Sequence, residues 1–303
     1  MHPLPHHTRT PRSPPVGRPV RAVSTTTPNG RVRNERQSVA LDEPTRVAAP
    51  AHAPDAARLG NPSFVWRFGQ ERRLALIERF APLDGRRVLD LGCGLGEYVR
   101  AAERRGARAL GSDIAVQRLR EARRRGAAAQ PPSAAGYFAA AGETLPLRDG
   151  VLDLIVLNEV IEHVADDGAT LREIARVLAP GGVCILYAPN RLYPFETHGI
   201  YVRNRYVFGN IPLVNWLPRA IRNRLVPHAR AYRHGDWQRL VRGTPLEIVE
   251  HTYVYPGFDN VVARAPRLGR VLRRVCYWAE GNALRRFGLS HFVVLRRPVG
   301  HAA

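Results

Sequence analysis

One stretch constrains this chain more than any other. Arg87-Val88-Leu89-Asp90-Leu91 runs without a break into Gly92-Cys93-Gly94-Leu95-Gly96. A short apolar run closing on alternating glycines predicts a buried strand that turns sharply into a helix. Bare backbone then lies at the carboxyl end of a sheet, where ligands of open α/β folds bind.

The residues around this turn alternate strand and helix. Trp66 to Phe80 reads as an amphipathic helix leading in, and a helix follows the glycines to about Arg105. Ala107 to Ser112 reads as a second strand ending at Asp113, Ala115 to Arg125 as a helix, and Tyr137 to Ala140 as a third strand. Leu152 to Leu157 is a β-rich central strand. Leu171, Ile174, Ala175 and Leu178 lie at i, i+3, i+4 and i+7 of a helix, with Asp166 or Asp167 as its cap and Pro180-Gly181-Gly182 as its stop. Val183 to Tyr187 is a fifth strand. This order predicts a mostly parallel sheet with helices on both faces. After Pro189 the rhythm breaks. Leu246 to Val254 and His291 to Leu295 read as late strands, with 190–235 and 256–287 as insertions over the site. Residues 1–58 hold ten Pro and almost no large apolar side chain, so a disordered Pro/Arg-rich tail is expected ahead of a domain at 59–303.

The glycine turn departs from the dinucleotide fingerprint, which needs Gly where Glu97 stands. A Glu at a helix N-terminus repels a pyrophosphate. The turn therefore suits a ligand with no phosphate there. Asp113 ends the second strand, where a carboxylate accepts both hydroxyls of a ribose or caps the following helix.

Val88 to Gly96 resembles the first motif of class I S-adenosylmethionine-dependent methyltransferases. Gly142-Glu-Thr-Leu-Pro-Leu147, Asp153 through Val164, and Leu171 through Gly182 resemble the type-11 branch of that family. The resemblance implies a Rossmann-like, doubly wound α/β fold with a seven-stranded sheet, its last strand antiparallel, and a helical lid insertion. It implies S-adenosylmethionine as cofactor, with Asp90, Gly92, Cys93, Gly94 and Gly96 around the methionine part. Asp113 and Ile114 would lie at the ribose, Gly142 and Glu143 beside the adenine, and Asn158 and Glu159 next to the reacting methyl. Many relatives carry Asp where Ala141 stands, so backbone or Glu143 would take the adenine contact.

Methyl transfer from a sulfonium is an in-line displacement needing chiefly alignment. For a hydroxyl acceptor a base helps, and His163, after the fourth strand, is the candidate, with packing at a loop–helix junction as the alternative. Cys93 reads as a small buried residue of the turn. Asn190, Glu196 and His198 are polar groups among aromatics after the fifth strand, and form either an acceptor pocket or a self-satisfied Pro-rich loop. A Glu and a single His with no further ligand nearby do not predict a metal site.

Composition bounds the remaining choices. All 46 basic residues are Arg, and with 26 acidic residues the net charge is +20. Residues 59–189 carry a net +2, whereas 190–303 hold 19 Arg against 6 acids, net +13. A directional positive field predicts an acceptor that is anionic or sits at an anionic surface: a small molecule, lipid or glycan, with peripheral membrane contact through Ile211 to Pro218 and Arg219, Arg222, Arg224 and Arg230. An RNA or DNA methyltransferase is the alternative, disfavoured because no nucleic-acid module is recognisable and Asn158-Glu159-Val160-Ile161 replaces the tetrapeptide of amino-methylating enzymes. A non-catalytic cofactor-binding protein is a third reading. Three Cys without zinc spacing, no 18-residue apolar run and no apolar signal core predict a cytoplasmic protein, peripheral at most to a membrane.

Overall fold

A computed structural model describes residues 67–203 and 205–300. The expected tail at 1–58 and the start of the leading helix at Trp66 lie outside the described residues. Helix α1 (Phe68–Glu78) leads into β1 (Arg87–Leu91), α2 (Glu97–Glu103), β2 (Arg108–Asp113), α3 (Val116–Ala127) and β3 (Gly136–Ala139). Strand β4 (Leu152–Asn158), α4 (Asp167–Val177) and β5 (Leu178–Pro189) follow. Short strands β6 (Phe195–Glu196), β7 (Ile200–Val202), β8 (Arg205–Val207) and β9 (Ile211–Pro212), then α5 (Arg219–Leu225), occupy the first insertion. Helix α6 (His234–Val241), β10 (Glu247–Val254), α7 (Asp259–Arg264), α8 (Pro266–Ala279) and β11 (Ser290–Arg296) close the chain.

Among the described residues the main sheet has seven strands, ordered β10-β11-β5-β4-β1-β2-β3. The pairs from β5 to β3 are all parallel. Strand β11 runs antiparallel to both β5 and β10. The chain thus fills β1, β2 and β3 outward, then returns to lay β4 on the other side of β1. That reversal opens a crevice at the carboxyl ends of β1 and β4, the ligand position of doubly wound sheets.

Alternation along the strands builds two cores. Val88, Leu154, Val156 and Ile185 pack on one face with Leu74, Ile77, Val99 and Leu119 of α1, α2 and α3. Leu89, Leu91, Ile155, Leu157 and Leu186 pack on the other with Leu171, Ile174 and Trp237 of α4 and α6. Both faces being covered explains why the parallel strands are nearly continuous apolar runs.

Asp166 caps α4, accepting from the Ala169 amide at 2.8 Å. The helix ends at Val177, before the glycines expected to stop it, because Leu178 is already extended. Strand β5 therefore begins at Leu178, five residues earlier than the composition suggested. A register shift absorbs Ala179 to Gly182 before Val183 pairs with Leu154.

The first insertion is pinned to the loop after β4. Arg230 donates to the carbonyls of Val164 and Ala165, and the Tyr232 hydroxyl to the carbonyl of Ile161 at 3.0 Å. Arg222 is buried against Glu196. Of the four Arg expected at a membrane surface beside Ile211 to Pro218, Arg222 is thus buried and the half-exposed Arg230 is engaged with backbone carbonyls, and Val214 and Asn215 are buried too. No helix among the described residues is long and apolar enough to cross a membrane.

Candidate active site

The crevice at the switch point widens into a cleft of about 1000 Å³. Its floor is the glycine turn. Gly92, Gly94 and Gly96 all have positive φ, which admits glycine at little cost. A Cβ on Gly92 would also run into the Val160 side chain. The amides of Gly92 and Cys93 are fixed by the Ser112 carbonyl at 2.7 and 2.8 Å.

Asp113 is buried and lines the cleft. One of its carboxylate oxygens accepts from the Gly94 amide at 2.9 Å, the other from the Ala115 amide at 2.8 Å. It therefore ties the turn to the start of α3 and keeps further lone pairs for a diol. Asp90, also buried in the wall, is pushed up to about 7 by burial and secondarily by the charge of Asp113. Burial raises the Cys93 thiol far above its usual range, so it is no nucleophile. Glu97, in the first turn of α2, lines the cleft and pairs with Arg100 at 2.8 Å.

Opposite the glycines, the end of β4 presents Asn158 and Glu159. Glu159 has φ 58°, a left-handed conformation that a non-glycine residue holds only under local constraint. The constraint is Arg73 of α1. Its guanidinium donates to Asn158 Oδ1, to Glu159 Oε1 at 2.9 Å and to Ser290 Oγ at 3.0 Å, and lies 4.5 Å over the Tyr187 ring. Burial opposes its charge, but Glu159 outweighs that, so Arg73 stays cationic. Sequence reasoning missed Arg73, since an Arg within an amphipathic leading helix carries no local signal of facing inward.

Of the residues expected in the site, Asp90, Gly92, Cys93, Gly94, Asp113, Ile114, Gly142, Glu143, Asn158, Glu159, His163 and His198 all line this one cleft. Glu143 has one oxygen committed, accepting from the amides of Ala165 and Asp166 at 2.8 and 3.1 Å. Three residues fall outside. Gly96 is the N-cap of α2. Asn190 is fully buried, its amide donating to the carbonyls of Arg286 and Gly288 and its Oδ1 accepting from Leu192. Glu196 is buried in an ion pair with Arg222 at 2.7 Å. Of the two readings open for them, acceptor pocket or self-satisfied loop, the hydrogen bonds favour the second: Glu196 pairs within the insertion and Asn190 ties its start to the turn before β11.

His163 and His198 meet edge to face in the cleft wall, ring centroids 5.2 Å apart. Between them lies Glu162, wholly buried, its Oε1 3.5 Å from His198 Nε2 and 3.8 Å from His163 Nε2. His198 Nδ1 faces Glu196 at 3.0 Å. Burial opposes protonation of His198, but Glu162 and Glu196 outweigh it and push its pKa up to about 10. His198 is therefore an imidazolium joining two carboxylates. His163 is the reverse case. Burial lowers its pKa against the pull of Glu162, so it is neutral at neutral pH. Its Nδ1 lies 3.0 Å from the His228 carbonyl, which can only accept, so the proton sits on Nδ1 and Nε2 carries the free lone pair. Glu162, His163 and His198 each offer a metal-ligand atom within 4.8 Å of the others. Glu162 and His163, on the loop after β4, come onto His198 of the insertion, a grouping that spacing along the chain does not show. The charge of Glu162 is already balanced there by the imidazolium.

These groups fit S-adenosylmethionine. The Asp113 carboxylate matches a ribose diol, Arg73 offers a cation to an amino-acid carboxylate, and Glu97 at the first turn of α2 disfavours phosphate. Residues 89–186 match the family model described as a methyltransferase domain. The chain is 27% identical over 218 residues to a ubiquinone biosynthesis O-methyltransferase of Rhizobium etli, spanning 70% of this chain and 79% of that protein. It is 35% identical over 141 residues to the enzyme of the same name from Paracidovorax citrulli, covering 46% of this chain and 58% of that one. The crystal structure of an S-adenosylmethionine-dependent methyltransferase from Mesorhizobium loti superposes with a TM-score of 0.52 at 23% identity, over 74% of this chain and 96% of that one. The PH0226 protein of Pyrococcus horikoshii shares the fold at 16% identity and a TM-score of 0.52, over 80% of this chain and 95% of that one. Sheet order, the glycine turn with Asp113 and the domain matched at residues 89–186 all agree with the class I S-adenosylmethionine-dependent methyltransferases of the type-11 branch.

Proposed function

We propose that this protein transfers a methyl group to the hydroxyl of a small, largely apolar acceptor, with His163 as the base. The observation that carries the reading is the tautomer of His163: neutral, in the cleft wall, with Nδ1–H donated to a carbonyl and Nε2 free to accept a proton. The names of the Rhizobium and Paracidovorax relatives, both O-methyltransferases, point the same way.

The bound cofactor supplies an electrophilic methyl on its sulfonium. Asp113 would hold the ribose and Arg73 the amino-acid carboxylate, with Asp90 and Glu159 offering carboxylates to its positive charge. The acceptor enters past Tyr206, Phe208, Tyr255 and Tyr277, aromatic walls that favour a flat apolar ring and exclude water. His163 Nε2 would take the proton that the acceptor hydroxyl gives up as its oxygen gains the methyl and the sulfonium–carbon bond breaks. The resulting imidazolium is stabilised by Glu162 at 3.8 Å.

The test is turnover of labelled methyl donor with a panel of catechols and hydroquinones bearing short alkyl tails. His163→Gln is expected to cut kcat 10²- to 10⁴-fold, the range of general-base contributions, with cofactor affinity unchanged. Full turnover in that variant removes His163 from the chemistry. Methylation of amines in preference to hydroxyls refutes the acceptor class.

A further inference from the structure

Helix α8 is amphipathic the wrong way round for a globular surface. Leu268, Val271, Val275 and Trp278 lie at i, i+3, i+7 and i+10 and are 55, 58, 55 and 67% exposed. They form one stripe along about 15 Å of helix. The opposite side does the packing. Gly269 sits against Val262 of α7, and Tyr277 lines the cleft. Leu284 and Phe287, in the turn after α8, are exposed as well.

The stripe is bordered by one sign of charge. Arg264, Arg267, Arg270, Arg274, Arg285 and Arg286 are exposed, and none forms an ion pair among the described residues. The two acids of this insertion are already used, Asp259 by Arg273 and Glu280 by Arg72. Outward aliphatic residues and a Trp beside unpaired Arg match a surface with an apolar interior and an anionic skin. A second copy of the chain fits poorly, because it would bring +20 against +20. Nucleic acid would engage the Arg and leave the Leu, Val and Trp stripe without a partner.

We propose that α8 docks the protein on an anionic lipid bilayer, with Leu268, Val271, Val275 and Trp278 at headgroup depth and the flanking Arg on lipid phosphates. This extends the acceptor reading above by placing the cleft mouth, walled by Tyr277 of the same helix, beside the membrane that would hold an apolar acceptor.

The experiment is co-sedimentation of the full chain with vesicles of phosphatidylglycerol or phosphatidylcholine, at low and high salt. Two variants are compared with the parent: Val275→Ser with Trp278→Ser, and Arg267→Gln with Arg270→Gln and Arg274→Gln. All three proteins keep the same Arg-rich N-terminal segment, so differences report α8. The parent is expected to bind phosphatidylglycerol vesicles, and each variant to partition at least tenfold less with unchanged melting temperature. If the apolar variant does not fold, the Arg variant alone decides the matter. Unchanged partition of the folded variants, no parent binding to phosphatidylglycerol at low salt, or α8-dependent binding of single-stranded RNA or of a second copy in place of vesicles would overturn the proposal. Calorimetric binding of S-adenosylmethionine by the same samples is read separately: its loss in the parent refutes the cofactor reading and leaves the vesicle result standing.

Discussion

Replacing Asp90 by Asn tests the electrostatics of the cleft floor. Asp90 is buried at the end of β1, and burial first, then Asp113, moves its carboxyl from the ordinary 3.8 to about 7. In the unfolded chain it ionises near the ordinary value. Between about pH 4 and pH 7 the folded state therefore holds a proton that the unfolded state has lost, and stability falls as pH rises through that window. At 1.36 kcal/mol per pH unit the complete cost is about 4 kcal/mol above pH 7. Asp90→Asn removes the ionisation but still buries a polar group, so a net gain of about 2–3 kcal/mol is expected at pH 8. For a domain of this size that raises Tm by about 5–10 °C. Below about pH 4 the gain is gone, and the parent should be the more stable by about 1–2 kcal/mol, the cost of burying the amide. The assay is calorimetric melting of both cofactor-free proteins in pH steps from 4 to 8.5, plotted as the difference. A difference that is flat with pH, or that favours the parent at pH 8, refutes the reasoning. The same substitution should weaken binding of the positively charged cofactor, which separates a stability cost from a binding role.

Two further outcomes follow from the site. Asp113→Asn should lower affinity for S-adenosylmethionine and for its demethylated product alike by about 10- to 100-fold, the worth of a charge-assisted contact; equal affinity by calorimetry would remove Asp113 from the ribose. His198→Gln should destabilise the fold by about 3–5 kcal/mol at pH 7, since it leaves Glu162 without its buried cation, and this loss should shrink as pH rises through 10, where the folded-state imidazolium gives up its proton; a melt unchanged at pH 7 would show that the charges are balanced otherwise.

The sheet was legible because its signals are local. Apolar runs, the glycines at 92, 94 and 96 and the spacing to Asp113 depend on neighbours in sequence, and β1, β2 and β4 lie within a residue or two of their expected bounds. That Gly92, Gly94 and Asp113 line one cleft was readable for the same reason. Arg73, Glu162 and the inward turn of Arg222 were not, since each is defined by a partner many residues away: Asn158 and Glu159, His198, and Glu196. Asn190 and Glu196 stayed open between two readings for a related cause. A polar residue among aromatics looks the same in sequence whether it faces a ligand or caps backbone carbonyls, and only the hydrogen bonds to Arg286 and Gly288 settle Asn190.

The buried chain of alternating charge from Glu162 through His198 and Glu196 to Arg222 makes the cover over the cleft a riveted plate in place of a swinging door. Away from that chain the cleft is bordered by Phe208, just beyond the hairpin of β7 and β8, and by Pro256 and Tyr277. Chemistry and substrate choice are thereby housed in separate parts. An engineer can exchange Tyr206 and Phe208, which line the cleft, to change what enters while the rivets and the glycine floor keep their places.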